Sequence, residues 1–168
     1  MGLVQVATNT VTSAVASVTL TGIDSDDVYV VMFNNVIPVS DAQKLTVKFT
    51  VSGTADSSAN YDHAQKVVRS GSSFGNQSNT NQTSINSLDQ GGTGTQESLQ
   101  GIHYLYNFNN ASEYSFMTYE GTARSSIAEL NARQGGGVLT ETQSTDGVQY
   151  SFASGNIASG TFTLYKVT

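Results

Sequence analysis

Two imidazoles, His63 and His103, are the side chains best suited to act as a general base near neutral pH. A serine nucleophile would need one of them beside it, but no G-x-S-x-G elbow occurs, so the spacing gives a catalytic triad no support. His63 is expected at the exposed edge of a loop, and His103 as a packed or surface residue of a sheet. Asp24, Asp26 and Asp27 offer three carboxylates to a Ca²⁺ ion, yet the spacing of an EF-hand loop and its closing glutamate are missing. They read as a solvated turn. The acids Asp62, Asp89, Glu97, Glu113, Glu120 and Glu129 are those from which a glycoside-cleaving pair would have to come, and nothing in their order singles out two. The glycines at 91, 92 and 94 and at 135 to 137 match neither a phosphate loop nor a dinucleotide fingerprint and read as flexible turns. No catalytic, cofactor-binding or metal-ligating residue is assigned, and no enzymatic activity is expected.

The aromatic row Tyr104, Tyr106 and Phe108 has two readings. With Tyr114 and Tyr119 extending it, the row would form a platform on which sugar rings stack; otherwise these aromatics fill the space between two sheets, which is the preferred reading. The triplets that begin at Asn76, Asn81 and Asn110 fit the glycosylation pattern, but without a recognisable secretory signal they are read as chance matches in a chain rich in Asn, Ser and Thr.

Composition narrows the partners. The 168 residues include 13 acidic and 7 basic side chains, a net charge of -6, so the positive field that holds a phosphate backbone is lacking and nucleic acid is not an expected partner. Only 12% of residues are charged and 38% are hydrophobic, which describes a polar but nearly uncharged surface around a sizeable core. There is no cysteine, so disulfides and thiolate metal sites are excluded. No stretch approaches the roughly 18 apolar residues of a membrane helix, and no membrane partner is expected.

The elements that position these side chains are strands. Residues 2–12 are Val- and Thr-rich without charge and fit an edge strand or an arm lying on a neighbour. Residues 14–23 alternate with Ala16, Val18 and Leu20 on one face, and Val28 to Val36 is apolar on both faces, as a strand covered on each side would be. Gln43 to Val51 alternates most cleanly, and Tyr61 to Arg69 is read as a strand despite poor alternation. Ser70 to Gln100 is dominated by small polar residues and reads as a long loop, the expected place of contact with a partner. Ile102 to Phe108 and Glu113 to Tyr119 form a hairpin across Asn109-Asn110; Arg124 to Arg133 permits a helical turn or a strand; Val138 to Thr142 is another strand. Two strands close the chain, the first carrying Val148, Tyr150 and Phe152 and the second Phe162 and Leu164. They form a wide hairpin or belong to different sheets. The sum is an all-β, jelly-roll-like antiparallel sandwich in a single domain: an N-terminal arm or edge strand over 1–12, then a sandwich over 13–168 with a long polar insertion at 70–100.

Five stretches in order, Thr21 to Ile23 (TGI), Val28 to Pro38 (VYVVMFNNVIP), Leu45 to Phe49 (LTVKF), Asn60-Tyr61 and the ending Asp146 to Val167 (DGVQYSFASGNIASGTFTLYKV), carry a resemblance to known proteins. The chain resembles small β-sandwich virion proteins of tailed bacteriophages, which serve as capsid decoration or cement proteins, or as tail and fibre components. The similarity spans most of the chain except the N-terminal arm and residues 70–100, and the SGNIASGTFTLY of the ending is its most specific part. The resemblance implies a structural protein of the virion, assembled in the host cytoplasm, that decorates or cements the capsid by contacts with the major capsid protein or other virion proteins. A homo-oligomer, first of all a trimer, follows from the habit of such proteins. The alternative is a carbohydrate- or receptor-binding module of a tail fibre or tail tip, reaching host glycan through Tyr104, Tyr106, Tyr114 and Tyr119. A glycan-cleaving enzyme is a distant third.

Overall fold

In a computed structural model, which describes residues 2–71 and 74–168, the chain folds as strands joined by turns. In chain order these are β1 (Leu3–Val11), β2 (Val18–Thr21), β3 (Tyr29–Pro38), β4 (Gln43–Val51), β5 (Thr54–Ala55), β6 (Tyr61–Arg69) and β7 (Gly75–Gln82). Then follow β8 (Ile85–Gly91), β9 (Leu99–Tyr106), β10 (Ser115–Arg124), β11 (Leu130–Leu139), β12 (Gly147–Phe152) and β13 (Ile157–Val167). One sheet has the order β1-β13-β3-β9-β10-β11-β6-β7; the other runs β2-β12-β4, with β5 and β8 both pairing β4. Every pairing is antiparallel.

Four of these pairings give the topology its name. β1 pairs β13, β2 pairs β12, β3 pairs β9 and β4 pairs β8, so the strands β1 to β4 lie against β8, β9, β12 and β13 as the two arms of one long hairpin. Rolled into two facing sheets, that hairpin is a jelly roll. The remaining strands are insertions. β5 to β7 leave between β4 and β8, β10 and β11 leave between β9 and β12, and the two excursions meet where β11 pairs β6. They widen one sheet by the four strands β10-β11-β6-β7.

The core fills the space between the sheets. Val18 and Leu20 of β2, Leu45, Val47 and Phe49 of β4, and Val148, Tyr150 and Phe152 of β12 are buried in one cluster with Val31 and Phe33 of β3, Leu105 of β9, Met117 of β10, and Phe162 and Leu164 of β13. The ring of Phe162 stacks on Phe33 at 6.0 Å and meets Tyr150 at 5.0 Å. The alternation of the last two strands thus points both inward, but from opposite sheets. Between them, Ile157 is buried and anchors the connection. Gly160, at φ +140°, permits the irregular register of β13 where a Cβ would lie 2.9 Å from Val36 Cα.

Several expectations are corrected. Residues 70–100 are not one long loop: their described part contains β7 and β8, and β8 buries Ile85 and Leu88 in the core. Two apolar residues three apart gave no strand period, because β8 bulges against β4 between the pairs Gln43/Gly91, Leu45/Leu88 and Thr46/Asn86. Gly135 to Gly137 are not a turn but lie inside β11, which begins at Leu130 and ends at Leu139, so the helical alternative for 124–133 fails and the strand expected at 138–142 is the end of a longer one. β3 is central but not covered on both faces, since Met32, Asn34 and Asn35 are exposed on its outer side. Residues 3–11 form an edge strand bonded along β13.

Candidate functional site

Where two insertions dock onto a jelly roll, polar side chains are brought into the interior, and the first such group is an ion pair. Arg133, facing inward from β11, places Nη2 3.0 Å from Asp89 Oδ2 on β8, with both side chains buried. Its Nη1 donates to Gln77 of β7. Asn131 donates to the Asp89 carbonyl at 3.3 Å, and Gln65 lies between Gln77 at 3.0 Å and the Tyr119 hydroxyl at 3.1 Å. Burial pushes the Arg133 guanidinium down while Asp89 pushes it back up, the net shift being downward. Arg133 Nε, Asn131 Oδ1 and Asn86 Oδ1 find no partner within the described chain. The group ties the inserted strands to the opposite sheet in a defined geometry, which is the use of buried ionic groups best explained by specificity.

The histidines are both buried. His63 lies in the middle of β6, not at a loop edge, because the poorly alternating segment is in fact paired on both sides by β11 and β7. Its Nε2 is 3.3 Å from Asn79 Nδ2, and burial holds its pKa down against the opposing effect of Asp62. His103 packs between Phe33 and Tyr119, with Nδ1 2.8 Å from the Tyr150 hydroxyl, and burial pushes its pKa down to about 3. Neither is hydrogen-bonded to a serine among the described residues.

The carboxylates are dispersed. Asp89 is held by Arg133; Glu120 faces outward from β10; Asp62 faces outward from β6 and accepts the Asn81 amide at 2.8 Å; Glu97, Glu113 and Glu129 lie in turns. Of the aspartate turn, Asp24 accepts from the Tyr29 hydroxyl at 2.9 Å and Asp27 pairs with Lys166 at 2.8 Å, an exposed contact that lowers the Asp27 pKa and raises that of Lys166. No group of three or more acids and histidines that could hold a metal occurs among the described residues.

The aromatic residues divide by strand parity. Phe108 and Tyr119 turn inward and are buried, so Tyr119 does not join an outer row. Tyr104 and Tyr106 of β9 point outward, against the preferred reading of the sequence, and Tyr106 reaches Thr118 Oγ1 at 3.3 Å. Tyr114 is exposed in the turn before β10. Sequence reasoning passed over Phe116: it stands opposite Tyr106 on the outer face, 42% exposed. Its signal was the parity of β10, in which Met117 and Tyr119 were the inward residues.

Register then lays out the surface beside these aromatics. Tyr104 is opposite Thr118, Thr118 opposite Gly136, Gly136 opposite Ala64, and Ala64 opposite Ser78, so a row of small side chains crosses four strands from an exposed tyrosine. Phe116 and its partner Val138 rise along one side of this row. The result is a shallow recess of about 410 Å³ with Gly136 in its lining, adjoined at Thr118 by another of about 270 Å³ that Tyr104, Glu120 and Gln134 bound. Its lining presents an aromatic face and hydroxyls to solvent. No family model matches the chain, and no curated protein or solved structure matches it.

Proposed function

We propose that this protein is a structural component of a tailed-phage virion that decorates or cements the capsid through protein-protein contacts, with no chemistry of its own. The observation that carries the reading is the edge of the larger sheet. β1 is nine residues, LVQVATNTV, without charge or proline; it is bonded by β13 on one side, and Leu3 and Val4 are 46% and 54% exposed. Natural sheets guard such edges with lysine, proline or strong bulges, and an unguarded one is a template for another strand. Here one irregularity, between Gln5 and Ala7, interrupts it. The edge fits a partner in the shell or a second copy, and an interface of ordinary size buries on the order of 1,600 Å². The test is Val4→Lys with Asn9→Lys: attachment to purified capsids in co-sedimentation is expected to fall at least tenfold while the fold, followed by circular dichroism, is unchanged. Attachment that survives both lysines would exclude the edge as the contact.

A second reading has its own observation. Tyr104 and Tyr106 turn outward beside Phe116 on the widened sheet, which favours a glycan-binding module of a tail fibre or tail tip. On that reading a glycan array gives binding that Tyr104→Ala abolishes.

A further inference from the structure

A glycine in the middle of a strand weakens it, and when it persists there it marks a bulge or a place where something approaches the backbone closely. The three glycines of β11 separate cleanly on this criterion. A Cβ on Gly135 would run into the Ala64 carbonyl, and one on Gly137 would come within 2.6 Å of Ile85 Cδ1, so the fold itself requires both. Gly136 is different. It faces outward, its φ is not in the left-handed region, and an added Cβ would meet only the Met117 carbonyl at 3.4 Å, an ordinary contact. Packing does not account for it. It sits where the row of small side chains crosses β11, flanked by Thr118 and Ala64, so bare backbone lines the recess that Phe116 also borders.

We propose that Gly136 is kept bare by a ligand, and that the recess over it is a subsite for a neutral pyranose ring of a glycan. This rests on the glycan-binding reading above and assigns it a location. The ligand class follows from the lining. Phe116 and Val138 supply an apolar wall for the C–H face of a sugar; Ser78, Thr80, Thr118 and the Asp62 carboxylate supply hydroxyl and acceptor groups for its hydroxyls. The lining contains no lysine or arginine and does contain Asp62, so an anionic sugar is disfavoured. A volume of about 410 Å³ suits one or two rings. The adjoining recess bounded by Tyr104, Glu120 and Gln134 shares Thr118 with the first and receives the next unit of the chain.

The experiment is a screen of the wild-type protein on a neutral and acidic glycan array, followed by calorimetry of the strongest binder with wild type, Gly136→Val and Phe116→Ala. Wild type is expected to bind neutral glycans, Gly136→Val to lose binding at least tenfold with a melting temperature equal to or above wild type, and Phe116→Ala to lose binding comparably. Gly136→Ser, which keeps the side chain small, is measured beside Gly136→Val at a temperature where every variant is folded: intermediate affinity supports the subsite, and wild-type affinity opposes it. Binding at wild-type strength in both Gly136→Val and Phe116→Ala would overturn the location while leaving the glycan reading standing. A wild-type protein that binds no glycan on the array would overturn that reading, and selective binding of acidic glycans would overturn the ligand class.

Discussion

At the scale of single residues, the interior contains two polar devices that answer differently to substitution. Arg133 and Asp89 form a buried pair, and removing one partner leaves the other charge without compensation. Arg133→Met is expected to cost about 3–5 kcal/mol in urea unfolding, and Arg133→Met with Asp89→Leu less than the sum of the single costs. Equal and additive losses would contradict a coupled pair. His103 has its pKa pushed from 6.5 down to about 3 by burial. Between those values the unfolded chain holds a proton that the folded chain does not, so stability rises with pH there and is lost as pH falls below 6.5. The slope from this group approaches roughly 1.4 kcal/mol per pH unit, and His63, also shifted down, adds in the same direction. Urea midpoints measured from pH 7 to 4 should therefore drop, and His103→Gln should flatten the drop. A midpoint independent of pH in that range would refute the buried, neutral imidazole. The sequence left His103 as a packed or a surface residue of a sheet, and it is packed; the ion pair and the burial of His63 were not legible, because the partners lie far away along the chain.

At the scale of elements, strand parity carried most of what could be read in advance. Gln43 to Val51 and the two closing strands alternate because one face of each meets the core and the other meets water; their inward residues are those expected except at the end of β4, where Thr50 is buried and Val51 only half-buried. Parity failed where composition imitated a loop. β7, GNQSNTNQ, is an edge strand with nearly every residue exposed, so no apolar residue marks its inner face. β11 carries three successive glycines, which local preference assigns to a turn; the cross-strand neighbours that require Gly135 and Gly137 lie far away in sequence. Stability measurements separate Gly135 from Gly136. Gly135→Ala is expected to destabilise by about 1–3 kcal/mol through overpacking against β6, whereas Gly136→Ala should stabilise by about 0.5–1 kcal/mol by restoring a residue with less conformational freedom to lose. If Gly136→Ala were the more damaging of the two, the outer face would not be open at that point.

At the scale of the whole molecule, the arrangement is a jelly roll whose insertions widen one sheet and whose first strand leaves an edge unguarded. The sandwich class was readable because short alternating strands separated by polar turns admit few other architectures. The docking of two excursions through β6 and β11 was not, since that pairing joins residues 61–69 to 131–139 and depends on the finished roll. The outer recess inherits the same difficulty: Tyr104, Phe116, Gly136 and Ala64 become neighbours only when four strands are in register. What unites the surfaces is low charge, which lets backbone edges and aromatic faces make contact without steep dependence on salt. The central proposal is that the protein is attached to a virus particle, and quantitative mass spectrometry of virions purified from cultures in which this chain is expressed tests it most directly. Hundreds of copies per particle are predicted for a capsid decoration protein; particles that lack the chain altogether would contradict the account.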